Sequence, residues 1–164
     1  NPYAGAFGAN VNLEDRTRRR GVSLNSRWRL DRDLTLVLNG TLQRAEFDEG
    51  EWEGNDVPLV SRQLFYAQAN WQALSWLELS LAHRYVGKRR FDNDQPNDFQ
   101  QIDSYRMTDL EATARYQNAY LRIGAYNLED ELAADYGIKA TNNLSYNAYP
   151  LPERHYRVSL GMEF

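Results

Sequence analysis

Leu77-Glu78-Leu79-Ser80-Leu81-Ala82-His83-Arg84-Tyr85 sets the reading of this chain. Leu77, Leu79, Leu81 and Tyr85 share one parity, and Glu78, Ser80 and Arg84 take the other. Successive side chains of a strand point to opposite faces, so period-two alternation marks a strand with one apolar and one polar face. A helix would bring apolar residues back at every third and fourth position. No stretch of the sequence carries a convincing helical stripe.

Working outward, the same alternation recurs on both sides. Residues 21–30 set Val22, Leu24, Trp28 and Leu30 against Ser23, Asn25, Arg27 and Arg29. Residues 34–43 set Leu34, Leu36, Leu38 and Leu42 against Thr35, Asn39, Thr41 and Gln43. Residues 63–71, 105–116, 120–127 and 155–164 repeat the pattern, which gives seven strands. Residues 3–13, with Tyr3, Phe7, Val11 and Leu13 at odd positions, are a candidate eighth. Asn39-Gly40 is a two-residue hairpin signal, but alternation runs through it, so one long strand is expected. The polar parity collects Arg27, Arg29, Arg84, Arg106, Arg115, Arg122 and Arg157 with Glu78, Asp109, Glu111 and Glu163.

The connections alternate in length. Asp31-Arg32-Asp33, Ala73-Leu74-Ser75 and Gln117-Asn118 are tight, whereas 47–59, 89–103 and 129–152 are long. An up-and-down antiparallel sheet with all long loops at one end has this rhythm. Transmembrane β-barrels combine it with strands of about ten residues and aromatic girdles. Trp71, Trp76, Tyr85, Tyr105, Tyr116 and Tyr120 are girdle candidates. A soluble barrel with its leucines turned inward shares the periodicity and stays open as an alternative.

Composition narrows the function. The 164 residues suit one domain. Cysteine is absent, which excludes disulfides, thiolate metal sites and cysteine nucleophiles. Two histidines exclude a histidine-rich metal centre, and a net charge of −4 argues against a general nucleic-acid binder. No run approaches the roughly 20 apolar residues of a transmembrane helix. No Gly-x-Ser-x-Gly elbow is present, and no enzyme is expected. Fourteen of the 23 acids fall in three short stretches, 46–56, 92–103 and 129–135, in or at the edge of the long connections. They lack the fixed spacing of a calcium loop, so no metal or cofactor is assigned, and an acidic outer surface is expected.

The last strand ends Tyr156-Arg157-Val158-Ser159-Leu160-Gly161-Met162-Glu163-Phe164. A terminal Phe preceded by Tyr156, Val158, Leu160 and Met162 resembles the signal that the barrel assembly machinery reads on outer-membrane proteins. Further stretches resemble the C-terminal part of TonB-dependent outer-membrane receptors. They are Arg18-Arg19-Arg20-Gly21-Val22-Ser23-Leu24, Ala45-Glu46-Phe47 with residues 54–60, Tyr85 to Asp94, and Tyr105 to Tyr116. Asn127-Leu128-Glu129-Asp130 resembles the family's Asn-Leu-Phe-Asp turn, with Glu129 in the aromatic's place. Tyr149-Pro150-Leu151-Pro152-Glu153-Arg154 resembles its Tyr-Pro-x-Pro-Gly-Arg run, with Glu153 for Gly.

The resemblance implies an all-β, antiparallel, up-and-down transmembrane β-barrel. Residues 1–164 would supply the last seven or eight of 22 strands, with the plug domain outside this chain. It further implies TonB-dependent uptake of a nutrient complex, most often a siderophore-type iron chelate, across the outer membrane of a Gram-negative bacterium. Its partners would be the plug and remaining strands, the TonB energising complex, the barrel assembly machinery, outer-membrane lipid and lipopolysaccharide, and a small-molecule metal chelate. Trp52, Tyr136, Tyr146 and Tyr149 lie in the long loops and are candidates to stack on that ligand. The alternatives are a small eight-stranded structural or adhesive outer-membrane barrel and a soluble ligand-binding β-barrel.

Overall fold

The computed structural model describes residues 16–140 and 145–163. The candidate strand at 3–13 and the terminal Phe164 lie outside them. Seven long strands form one antiparallel sheet: β1 (Thr17–Arg29), β2 (Leu34–Phe47), β3 (Gln63–Leu74), β4 (Leu77–Val86), β7 (Tyr105–Tyr116), β8 (Ala119–Tyr126) and β11 (His155–Met162). Four short strands lie in the connections: β5 (Arg89–Arg90), β6 (Gln101–Ile102), β9 (Ala134–Lys139) and β10 (Tyr146–Pro150). The sheet order is β1-β2-β3-β4-β7-β8-β11, so each long strand pairs with the next long strand in sequence. All seven alternating segments are therefore strands.

Register turns the sequence parity into two faces, because directly opposed residues in an antiparallel pair point to the same side. One cross-strand row reads Trp28, Leu36, Ala69, Leu81, Leu110, Ala125 and Tyr156. The adjacent row reads Arg29, Thr35, Asn70, Ser80, Glu111, Gly124 and Arg157. The polar face bonds to itself. Gln68 Nε2 donates to Asn70 Oδ1 at 3.0 Å and Ser80 Oγ at 2.9 Å. Arg115 pairs with Glu78 and Arg122 with Glu111, each at 3.3 Å.

Among the described residues, nothing packs against the apolar face. Leu160 is 79% exposed and Val22 75%. The buried apolar residues, Ala45, Phe47, Phe91, Ile102, Tyr105 and Met107, all gather at the long-loop end. A soluble barrel would bury its leucines, whereas a contiguous exposed apolar face marks contact with lipid or a partner. Trp28, Trp71, Trp76 and Tyr116 are exposed near the short-turn end, as a girdle requires. The short turns lie at one end of the sheet and the long connections at the other. No helix among the described residues is long and apolar enough to cross a membrane, which says nothing of strands.

Three sequence expectations need correction. Arg106 opposes Tyr85 and shares the face of Leu81 and Leu110 rather than the polar face, at the loop end of β7. Tyr105 is no girdle residue: it is buried on the opposite face, and its hydroxyl donates to Asp135 Oδ1 at 3.0 Å. Tyr120 opposes Arg115 and Gly161 on the polar face and covers Gly161, where an added Cβ would lie 2.5 Å from the Tyr120 ring. The Asn39-Gly40 hairpin does not form, because both residues are paired on each side, Asn39 to Asn25 and Tyr66, Gly40 to Leu24 and Phe65.

Candidate ligand-binding mouth

The three long connections fold together into one body over one end of the sheet. Between the first two, Asn55 Nδ2 donates to the carbonyls of Gln95 and Pro96. Asp56 N–H donates to Asn97 Oδ1, and Asn97 Nδ2 returns a bond to Asp56 O. The second and third join through a bridge between Asp92 and Ile138, in which Asp92 N–H donates to Gly137 O and Lys139 N–H to Asp92 O. Gly137 permits this approach, since a Cβ there would fall 2.4 Å from the Phe91 ring. Phe91, Phe99 and Tyr146 pack as a small aromatic core, with centroids 5.0 to 6.0 Å apart.

Buried charges lock the body. Lys139 is 5% exposed, and its Nζ lies 2.9 Å from Asp98 Oδ1 and 3.4 Å from Asp94 Oδ1. Asp94 is fully buried, with Arg90 Nη1 at 3.5 Å from its other oxygen. Burial pushes the Lys139 ammonium down, but the hydrogen bonds to Asp98 and Asp94 outweigh it and hold its pKa above the ordinary lysine value. The ammonium thus occupies the position between two carboxylates where a cation would sit. The buried Arg89 donates to the carbonyls of Ala134 and Asp135 and stacks over Tyr105.

A clamp closes the base of the third connection. Asn127, buried and at φ 54°, donates through Nδ2 to Glu131 O at 3.0 Å and Pro152 O at 3.1 Å. Its Oδ1 accepts from Glu131 N–H at 2.9 Å, and its own N–H donates to Asp109 Oδ1. Asp130 Oδ1 accepts from Arg154 N–H at 2.9 Å. The two motifs at 127–130 and 149–154 therefore meet in space. Glu129 reaches back to β7, accepting from Thr108 N–H at 2.8 Å and from the Thr108 hydroxyl. Burial raises the Glu129 carboxyl, yet these bonds win and hold it below the usual carboxylate value. With the hydroxyl proton committed to Glu129, His83 Nδ1 is the donor in its 2.9 Å contact with Thr108 Oγ1.

The family model for TonB-dependent receptor-like β-barrels matches residues 1–128. The chain belongs to this family. Solved receptors share the fold. The ferric-catecholate import receptor Fiu of E. coli K12, in its closed form, superposes with a TM-score of 0.77 at 18% identity, over 90% of this chain and 21% of that one. The ferric yersiniabactin uptake receptor FyuA of Yersinia pestis gives 0.74 at 25% identity, over 88% and 23%. The ferric preacinetobactin receptor BauA of Acinetobacter baumannii gives 0.67 at 16%, over 90% and 22%. The chain thus spans little more than a fifth of these receptors. No curated protein matches it in sequence. The family and these neighbours are transport receptors, not enzymes.

Within this receptor fold the four candidate aromatics separate. Tyr136 and Tyr149 oppose each other across β9 and β10, with ring centroids 5.4 Å apart. The Tyr136 hydroxyl donates to Asp92 Oδ2 at 2.6 Å, and this bond, more than its burial, pushes the phenol up to about 12. Tyr146 belongs to the aromatic core of the loops. Trp52 sits apart, on the buried Phe47 at 5.8 Å. Tyr156, Val158, Leu160 and Met162 of β11 are exposed on the apolar face. The expected acidic surface is largely neutralised. Glu46, Asp48, Glu49, Asp56, Asp94, Asp98, Asp103 and Asp135, eight of the fourteen clustered acids, are ion-paired. The roles of Lys139 and Arg89 escaped sequence reading, since their partners lie far along the chain or on the backbone, and Asn127 was visible there only as part of the 127–130 motif.

Proposed function

We propose that this chain forms C-terminal wall and mouth of an outer-membrane receptor that imports an iron chelate with energy from the TonB complex. The observation that carries the reading is the folding of all three long loops into one mutually bonded body over one end of a two-faced sheet. Such a body holds aromatic side chains at the mouth in fixed positions, and a rigid stacking surface binds a flat chelate without an ordering cost. Tyr136 and Tyr149 are the contact pair, Tyr149 being exposed and Tyr136 held by Asp92. The named ligands of the structural neighbours are ferric complexes, which favours iron over other nutrients.

The remaining strands pair with the outer edges of β1 and β11, because an open sheet edge is not tolerated in lipid. The plug fills the polar lumen and engages TonB. The assembly machinery reads Tyr156, Val158, Leu160, Met162 and Phe164, so deleting Phe164 lowers the amount of receptor inserted and leaves the affinity of inserted receptor unchanged. The function is tested by deleting the whole receptor gene and growing the strain on iron-poor medium with single chelates. Loss of growth on one chelate is expected. Equal growth on every chelate overturns the iron assignment. In the intact receptor, Tyr136→Ala with Tyr149→Ala raises the half-saturating chelate concentration about tenfold at unchanged receptor amount; unchanged uptake removes the pair from the site.

A further inference from the structure

We propose that Asp92, Tyr136 and Tyr149 form a site for an organic cation, and that the chelate bound at the mouth carries an alkylammonium or quaternary ammonium arm. This rests on the receptor reading above and names the charge class of its ligand. The three side chains share one face of the loop body. Asp92 bridges to Ile138 of β9, and Tyr136 and Ile138 oppose Tyr149 and Asn147 of β10. Directly paired residues point to one side. Their neighbours Gly137 and Lys139 face the other way, against the Phe91 ring and Asp94. Tyr149 is 60% exposed, and Tyr136 and Asp92 are half-buried.

Charge decides what this patch takes. Among the described residues no Lys, Arg or His pairs with Asp92, although its neighbours Asp94 and Asp98 are both paired. Tyr136, Ile138, Asn147 and Tyr149 carry no charge, so nothing on this face of β9 and β10 offsets the carboxylate. Its Oδ2 accepts the Tyr136 hydroxyl at 2.6 Å and its Oδ1 the Asn93 N–H at 2.9 Å. A carboxylate has about four acceptor positions, so these two bonds leave room for a ligand. The Tyr136 phenol, pushed up to about 12 mainly by its bond to Asp92, keeps its proton and adds no charge.

The rings supply the second half of the recognition. Tyr136 and Tyr149 stand 5.4 Å apart between centroids and are inclined by 55°, so they offer two differently angled aromatic faces. A cation within about 6 Å of a tyrosine centroid is attracted to the negative face of the ring. The hydrogen bond from Tyr136 holds the Asp92 carboxylate at the edge of the same ring, so one ammonium reaches both. Aromatic cages recognise quaternary ammonium groups in this way. An anionic chelate would meet a carboxylate and no cation. A neutral flat chelate would use the rings and leave the carboxylate without a partner. A bare divalent ion such as Ca²⁺ wants about six to eight oxygens, and the patch offers one carboxylate and two phenols. The combination therefore selects an organic cation.

The test uses the full-length receptor folded in detergent, with folding checked by heat-modifiable mobility and by amide exchange of peptides covering 134–140. Saturation-transfer NMR follows choline and its neutral tert-butyl isostere. Choline is expected to bind, the isostere at least fivefold more weakly, and added salt to narrow the gap. Asp92→Asn keeps an acceptor for Tyr136 and removes only the charge. It should lower choline binding at least fivefold, as should Tyr149→Ala. Tyr149→Phe should retain binding, and the control Glu51→Gln should leave it unchanged. The receptor is then titrated, by tryptophan fluorescence, with one linear trihydroxamate ferric chelate in three forms: with a free terminal amine, acetylated, and succinylated. The amine form should bind at least fivefold tighter than the acetylated form and the succinylated form most weakly, and Asp92→Asn should level the first two. Choline binding equal to that of the isostere, or unaltered by Asp92→Asn, overturns the proposal. So does an equal loss of all three chelates in Asp92→Asn, which would give the carboxylate a purely structural role. Equal affinity of the parent receptor for all three forms overturns the proposal and leaves the iron reading standing. Asp92-dependent choline binding with no chelate bound in any form overturns the iron reading instead and leaves the cation site standing.

Discussion

Lys139→Met should release the loop body while leaving the barrel wall untouched. The ammonium is 5% exposed and sits between Asp94 and Asp98. Removing one partner of a buried ion pair costs about 3–5 kcal/mol, because the other charge is left uncompensated. Asp98 is half exposed and regains water, and Asp94 keeps Arg90 at 3.5 Å, so the lower end applies. About 3 kcal/mol, at 1.4 kcal/mol per factor of ten, raises the open population roughly a hundredfold. Amide hydrogen exchange on the whole receptor in detergent reads this directly. Peptides covering 89–102 and 134–140 should exchange about a hundred times faster, and those from β2 and β3 at unchanged rates. Adding Asp94→Asn, which removes the stranded charge, should recover most of the protection. Unchanged exchange in the loop peptides of Lys139→Met would show that the buried pair does not hold the loops together.

The pH dependence follows from the same groups. The raised Lys139 value means its stabilisation is full below the ordinary lysine pKa and lost as pH climbs through the higher folded one. The Tyr136 phenol, at about 12, acts in the same direction. Intrinsic-rate-corrected loop protection should therefore stay flat from pH 7 to about 10 and fall above it. Asn127→Ala strands the carbonyls of Glu131 and Pro152 and the N–H of Glu131, at about 1 kcal/mol each; limited proteolysis should then cut within 128–154 first. Leu81→Arg, on the lipid face in mid-strand, should cost about 2–4 kcal/mol and deplete folded receptor in the membrane. Ser80→Arg, one residue away on the polar face, should leave the folded amount near that of the parent.

The wall was legible in the sequence and the mouth was not, for one physical reason. A strand with one face in lipid and one in water must alternate, so local pattern alone locates β1–β4, β7, β8 and β11. The loop body is held by contacts between residues far apart, such as Lys139 with Asp94 and Asp92 with Tyr136, and no local period announces them. Arg106 marks the boundary between the two regimes. There the loops cover the opposite face, so Tyr105 and Met107 are buried on the parity that is polar elsewhere, and the alternation inverts. The motifs at 127–130 and 149–154 were visible as strings, but only the fold shows Asn127 and Asp130 tying one to the other.

The central claim is that sequence parity is a lipid–lumen division. Nitroxide labels placed one at a time at 35–42 of β2 in the full receptor, reconstituted in bilayers, test it most directly. Collision rates with oxygen, which partitions into lipid, and with a polar nickel complex distinguish the two sides. Labels at Leu36, Leu38, Gly40 and Leu42 should show high oxygen and low nickel accessibility, and those at Thr35, Val37, Asn39 and Thr41 should not. An accessibility profile without period two, or with its phase reversed so that Thr35, Asn39 and Thr41 face lipid, would contradict the account.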